Sequence, residues 1–138
     1  MLECKVGLFS PLMENLMREA GSAEDWILNE KMMPHMTNIR SEWVSAFEDG
    51  HVVGNLRLFS LDGVGMISHV YTRFEHRHKG VATLMVKFAK EHFSQLEKSF
   101  LLTATVKPDG HSHRAFQKNG FEVLTPLIGG EVMVGWHP

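Results

Sequence analysis

The chain has 138 residues, 43% of them hydrophobic and 22% charged, and a net charge of −2 at pH 7. That length argues for a single domain over residues 1–138, enough to bury about two-thirds of the surface the unfolded chain exposes. The charge balance excludes the basic excess of a nucleic-acid binder. No apolar run approaches the roughly 18 residues of a membrane span. The lone Cys4 leaves no partner for an internal disulfide and reads as a structural thiol of a reducing compartment. With an N-terminus too short and polar for a signal peptide, the expected location is the cytoplasm.

Leu2, Cys4, Val6 and Leu8 alternate with polar or small residues, which is a strand pattern. Ser10-Pro11 then offers a cap and a first-turn proline for a helix striped by Leu12, Met13, Leu16, Met17 and Ala20. Ser22-Ala23-Glu24-Asp25 resembles a capping box for a second short helix carrying Trp26, Ile27 and Met33, which Pro34 ends. Asp49-Gly50 and Asp62-Gly63 lie between β-rich runs, so residues 42–48, 51–60 and 64–72 are expected to form an antiparallel meander, with Val52, Leu56 and Leu58 on one face. Val81, Leu84, Met85 and Phe88 make the buried stripe of a helix over about 80–94. A doubly buried strand follows at 99–106, then a helix at about 111–119 closed by Gly120, and a hairpin of Phe121–Leu124 with Glu131–Trp136. The fold class is α/β: a mixed, mostly antiparallel sheet of six or seven strands flanked by about four helices, with one βαβ crossover.

The stretch before the third helix, "RFEHRHKG", carries six groups able to hold charge and then Gly80. A helix N-terminus presents N–H groups without partners in the helix, and the peptide dipoles add roughly half a positive charge there. In an open α/β sheet the ligand crevice lies beyond the carboxyl ends of the strands. A strand ends near Thr72 and a helix starts near Gly80, with Arg77 and Lys79 between them. This is the arrangement of an anion site, with phosphate the usual guest. Gly80, lacking a Cβ, lets backbone approach the anion, and Ala82 and Thr83 suit the same end. The alternative is a solvated charged loop before an ordinary amphipathic helix.

Arg77-His78-Lys79-Gly80-Val81-Ala82 resembles the (Q/R)-x-x-G-x-(G/A) signature of the GNAT superfamily of N-acetyltransferases. Val70–His76 is similar to the family's approach to it, although Phe74 stands where proline is frequent and His76 where an aromatic is frequent. Ala115–Phe121, with its Gly120-Phe121, is similar to a later family segment, and the element order matches along essentially the whole chain. The resemblance implies acetyl-CoA as co-substrate, its pyrophosphate on the backbone of His78 to Thr83 (Val81 and Ala82 included) beside Arg77 and Lys79. It also implies two central strands that splay apart and a pantetheine arm along Val70, Tyr71 and Thr72. Phe116 occupies the place where many relatives carry a tyrosine that protonates the leaving thiolate, and it is assigned with the coenzyme-binding residues.

The implied reaction is direct attack of a primary amine on the thioester in a ternary complex. A lysine-like ammonium has a pKa near 10.4, so deprotonating it at neutral pH costs about 4–5 kcal/mol and calls for a base. His69 is the candidate base, with Tyr71 two residues on as a relay or packing partner on the same face. Phe116 leaves open a non-catalytic acyl-CoA-binding regulatory module. His76/His78 and His111/His113 invite a metal, but a closed zinc site needs four ligands and no second cysteine exists, so no metal is expected. Glu14, Glu19, Glu24, Asp25 and Glu30 suit a cationic acceptor or simply a solvated helix face. The expected partner is a small-molecule or peptide amine; a homodimer is possible by the resemblance, while nucleic acid and membrane are not expected.

Overall fold

Asp49-Gly50 and Asp62-Gly63 both adopt positive φ at each residue (50° and 81°, 51° and 85°), the conformation of tight two-residue hairpin turns. They join β2 (Ser41–Glu48) to β3 (His51–Leu61) and β3 to β4 (Val64–Thr72), with Glu48 opposite His51 and Leu61 opposite Val64. The computed structural model describes residues 1–7, 41–96 and 98–138. The two helices expected between Ser10 and Pro34, their acidic face and Leu8 lie outside these residues.

Strand β1 (Leu2–Gly7) precedes the meander; α1 (Val81–Ser94), β5 (Leu101–Val106), α2 (His111–Lys118), β6 (Glu122–Pro126) and β7 (Val132–Trp136) follow it. The seven strands are hydrogen-bonded in the order β1-β2-β3-β4-β5-β7-β6. Only β4 and β5 run parallel, linked through α1; the other neighbouring pairs are antiparallel. This is the mixed α/β sheet expected from the sequence, with two flanking helices among the described residues. Strand β5 starts two residues later than expected, because Phe100 turns outward and its N–H bonds Gly63 O at 2.7 Å.

Helix α1 buries Val81, Met85, Val86, Ala89 and Phe93 in one core with Val44, Ala46, Leu56, Leu58 and Ile67 of the meander. Val52 does not share the face of Leu56 and Leu58. Phe47 pairs with Val52 but Ala46 with Gly54, so β3 holds one extra residue there and its alternation changes phase. At Gly54 a Cβ would come within 3.0 Å of Met85 Cε and of Tyr71 O. The first turns of α1 therefore lie almost on the backbone of β3. Gly54→Val is expected to cost about 1–3 kcal/mol of stability through overpacking; unfolding at an unchanged denaturant midpoint would contradict that close approach.

Two further features of β4 prepare the site. Its parallel pairing with β5 ends at Ile67↔Ala104, although β5 stays paired with β7 as far as Val106. The strands part beyond that point and leave a gap at their carboxyl ends. On the other side, Asn55 faces Tyr71 while Arg57 faces Ser68, so β4 carries an extra residue against β3. His69, at φ 55°, lies in this bulge. The buried Asn55 donates from Nδ2 to His69 O at 2.8 Å and holds the bulge from β3.

Candidate functional site

Beyond its last pair with β5, the carboxyl end of β4 borders a cavity of about 290 Å³. It is lined by Val70, Tyr71 and Thr72 of β4, by His76, Arg77 and His78 of the following loop, by Gly80 to Thr83, and by His111, Ser112, Arg114, Ala115 and Lys118 of α2. Gly80 is the residue that caps α1, at φ 81° in the left-handed region, and it has no side chain to cap the helix. The N–H groups of Val81, Ala82 and Thr83 therefore have no partner within the helix and no side-chain cap. They open onto the cavity together with the positive end of the helix dipole.

The cations of the loop are placed differently from one another. Arg77 donates from Nε to Thr72 O at 2.9 Å, and its guanidinium lies 5.4 Å from the Tyr71 ring centre and 5.8 Å from that of Phe74. It lines the cavity but also braces the loop against the end of β4. Lys79 is exposed and stands outside the lining. His78, at φ 63°, meets His111 edge to face with ring centres 4.5 Å apart, so the loop and the first residue of α2 touch across the mouth. His76 Nδ1 lies 3.6 Å from Glu48 Oε2 at the end of β2.

Phe116 is the other expected coenzyme-binding residue that the cavity does not include. It is buried in the core, with its ring 4.9 Å from Phe121. The faces of α2 explain this: His113, Phe116 and Asn119 are buried, while His111, Arg114, Ala115 and Lys118, at i, i+3, i+4 and i+7, form the stripe turned to the cavity. His113 accepts the Asp109 N–H at Nδ1 (2.9 Å) and ties the preceding loop to the helix. At the other end Asn119 Nδ2 donates to Thr83 O at 3.0 Å and to Ala115 O at 2.9 Å, which pins α2 to the first turn of α1. Lys90 reinforces that seam by donating to Asn119 O at 2.5 Å under the Trp136 ring; burial lowers its pKa, against a smaller raising effect of Glu91. The α2 stripe and His76 are the parts of the lining that sequence reasoning missed. The signal of the stripe was the helical spacing of polar residues, which a search for apolar periodicity passes over.

His69 lies outside the cavity lining, below Val70. Its Nδ1 is 2.7 Å from Ser68 Oγ and its ring centre 5.8 Å from that of Trp43. The bulge interrupts the i, i+2 rule that would place Tyr71 on the same face. Tyr71 is buried at 3% exposure and lines the cavity. Burial raises the Cys4 thiol pKa to about 11, so it stays protonated at neutral pH and is a poor nucleophile. Among the described residues no three ligand-type side chains cluster as a metal site would need, and no helix is long and apolar enough to cross a membrane.

Residues 11–121 match the model of the Acetyltransferase (GNAT) family. The chain belongs to that family. No curated protein matches the sequence. Among solved structures, an acyl-CoA N-acyltransferase from Pseudomonas aeruginosa superposes with TM-score 0.74 at 14% identity, over 98% of this chain and 99% of that one. A Bacillus subtilis acetyltransferase in complex with CoA gives 0.74 at 13% identity, covering 100% and 99%. The PaiA N-acetyltransferase of Thermoplasma acidophilum, in complex with coenzyme A, gives 0.65 at 17% identity, covering 95% and 81%. At such identities the GNAT fold is what these likenesses share with the chain.

Proposed function

We propose that this GNAT protein moves an acetyl group from acetyl-CoA to a primary amine by direct attack within a ternary complex. One observation carries the reading: a single cavity is lined both by Val70 to Thr72, beyond the last residue of β4 paired with β5, and by the uncapped first turn of α1 from Gly80 to Thr83. A thioester arm needs the first and a diphosphate the second. The pyrophosphate lies on the first turn of α1, and the pantetheine arm runs along Val70 to Thr72 toward the bulge. CoA-bound members of the same fold family support this placement.

The amine nitrogen bonds to the carbonyl carbon, the carbon–sulfur bond breaks, and the thiolate leaves. The ammonium gives one proton to His69 before attack, directly or through water, and the nitrogen loses a second as the amide forms. A backbone N–H near Tyr71 stabilises the carbonyl oxygen as it gains charge. No acyl-enzyme forms, in keeping with the protonated thiol of Cys4. Phe116 offers no hydroxyl to the thiolate and faces the core. With a thiol pKa near 8.5 the sulfur can depart as the anion, and it then takes up the second proton of the amine through water. That same phenylalanine favours a second reading, a module that binds acyl-CoA without transferring.

Acetyl-CoA at about a hundred times its Kd is expected to stabilise the fold by about 2.7 kcal/mol, several degrees in Tm. Under either reading an unmoved Tm is fatal. Thiol release above hydrolysis with a panel of amines, amino acids, peptides and aminoglycosides separates the two: transfer requires it, and the binding module shows none.

A further inference from the structure

The cavity has two positively polarised walls, and the start of α1 forms only one of them. The other is the stripe of α2 that carries Arg114 and Lys118. Among the described residues no carboxylate lines the cavity and none pairs with either side chain. Residues at i and i+4 of a helix stand about 6 Å apart on one face, so the two cations can close on a single phosphate. The bond from Asn119 to Thr83 O sets Lys118, one residue before it, beside the first turn of α1. The wall is thus next to the amides that take the diphosphate, yet not part of them.

Coenzyme A carries a third phosphate, on its adenosine ribose, one nucleotide's reach from the diphosphate. The loop cations are not placed for it, since Arg77 braces Thr72 and Lys79 stands outside the lining. Resting on the acyl-CoA reading above, we propose that Arg114 and Lys118 hold this ribose phosphate and make the chain select coenzyme A over its dephospho form. An ammonium and a guanidinium converging on a dianion make charge-assisted hydrogen bonds, weakened by solvent because both side chains are exposed.

Calorimetric titration of the whole chain with coenzyme A and with dephospho-coenzyme A tests the assignment. The expected result is that coenzyme A binds about tenfold more tightly at low salt, with the ratio shrinking as salt screens the exposed pair. In the Arg114→Gln/Lys118→Gln double variant the ratio falls to about twofold or less, while an unchanged circular dichroism spectrum reports an intact fold. Equal affinities in the unmodified protein, or a preference that survives in the double variant, overturn the assignment. Binding of neither ligand removes the acyl-CoA reading itself, and this inference with it.

Discussion

Gly80→Trp is expected to weaken coenzyme A binding by at least about a hundredfold, some 2.7 kcal/mol, while the protein still folds. The two halves of this expectation have separate origins. Gly80 holds φ at 81°, and any residue with a Cβ pays about 1–2 kcal/mol to adopt it. That cost is carried by a domain stability of about 5–15 kcal/mol, so the variant remains native at moderate temperature. A Cβ built at Gly80 meets nothing within 4 Å, and Gly80 itself lines the cavity. An indole there has room to lie, and the room it takes is the space above the α1 amides. Gly80→Ala is the control. It shares the backbone cost, adds one methyl in open space, and should lower affinity by less than about tenfold. Calorimetry on the folded variants decides the matter, and wild-type affinity in the tryptophan variant would place the diphosphate elsewhere.

Much of the frame was legible because short-range chemistry decides it. The two Asp-Gly pairs adopt the positive φ values that a two-residue hairpin demands, whatever surrounds them. Of the expected stripe Val81 and Met85 are buried while Leu84 and Phe88 are half-buried, and Gly80 begins the helix as its position suggests. Most of the cavity lining falls between Val70 and Thr83, where one strand, one loop and one helix start build it in sequence order. What could not be read depends on partners far along the chain. Nothing in Ser68-His69-Val70-Tyr71 marks a break in the strand, and the bulge within it exists only relative to Asn55 and Arg57 on β3. Which face of α2 meets the cavity is set by the packing of Phe116 against Phe121 and by the bond of Asn119 to Thr83 O. Arg77 and Lys79 are two residues apart in one loop, yet one lines the cavity and the other does not; only the carbonyl of Thr72 and the rings of Tyr71 and Phe74 distinguish them.

The bulge also frames the test of the proposed base. His69→Asn is expected to slow acetyl transfer about a hundredfold at neutral pH and to leave coenzyme A affinity within about twofold. Asparagine is the suitable replacement because His69 holds φ at 55°, a left-handed value that asparagine tolerates better than most residues. The clamp from Asn55 survives the change, since it is received by the backbone oxygen of residue 69 rather than by the imidazole. The backbone that is to receive the pantetheine arm therefore keeps its course. What disappears is a proton acceptor, and an acceptor matters only while the amine arrives as an ammonium. With an amine pKa near 10.4, raising the pH toward that value supplies the neutral nucleophile from solution. The rates of variant and wild type should then converge, with kcat carrying the change and the KM for acetyl-CoA remaining nearly constant. A deficit of the same size at every pH would make His69 a support for the bulge and not a base, and an undiminished rate at neutral pH would remove it from the chemistry altogether.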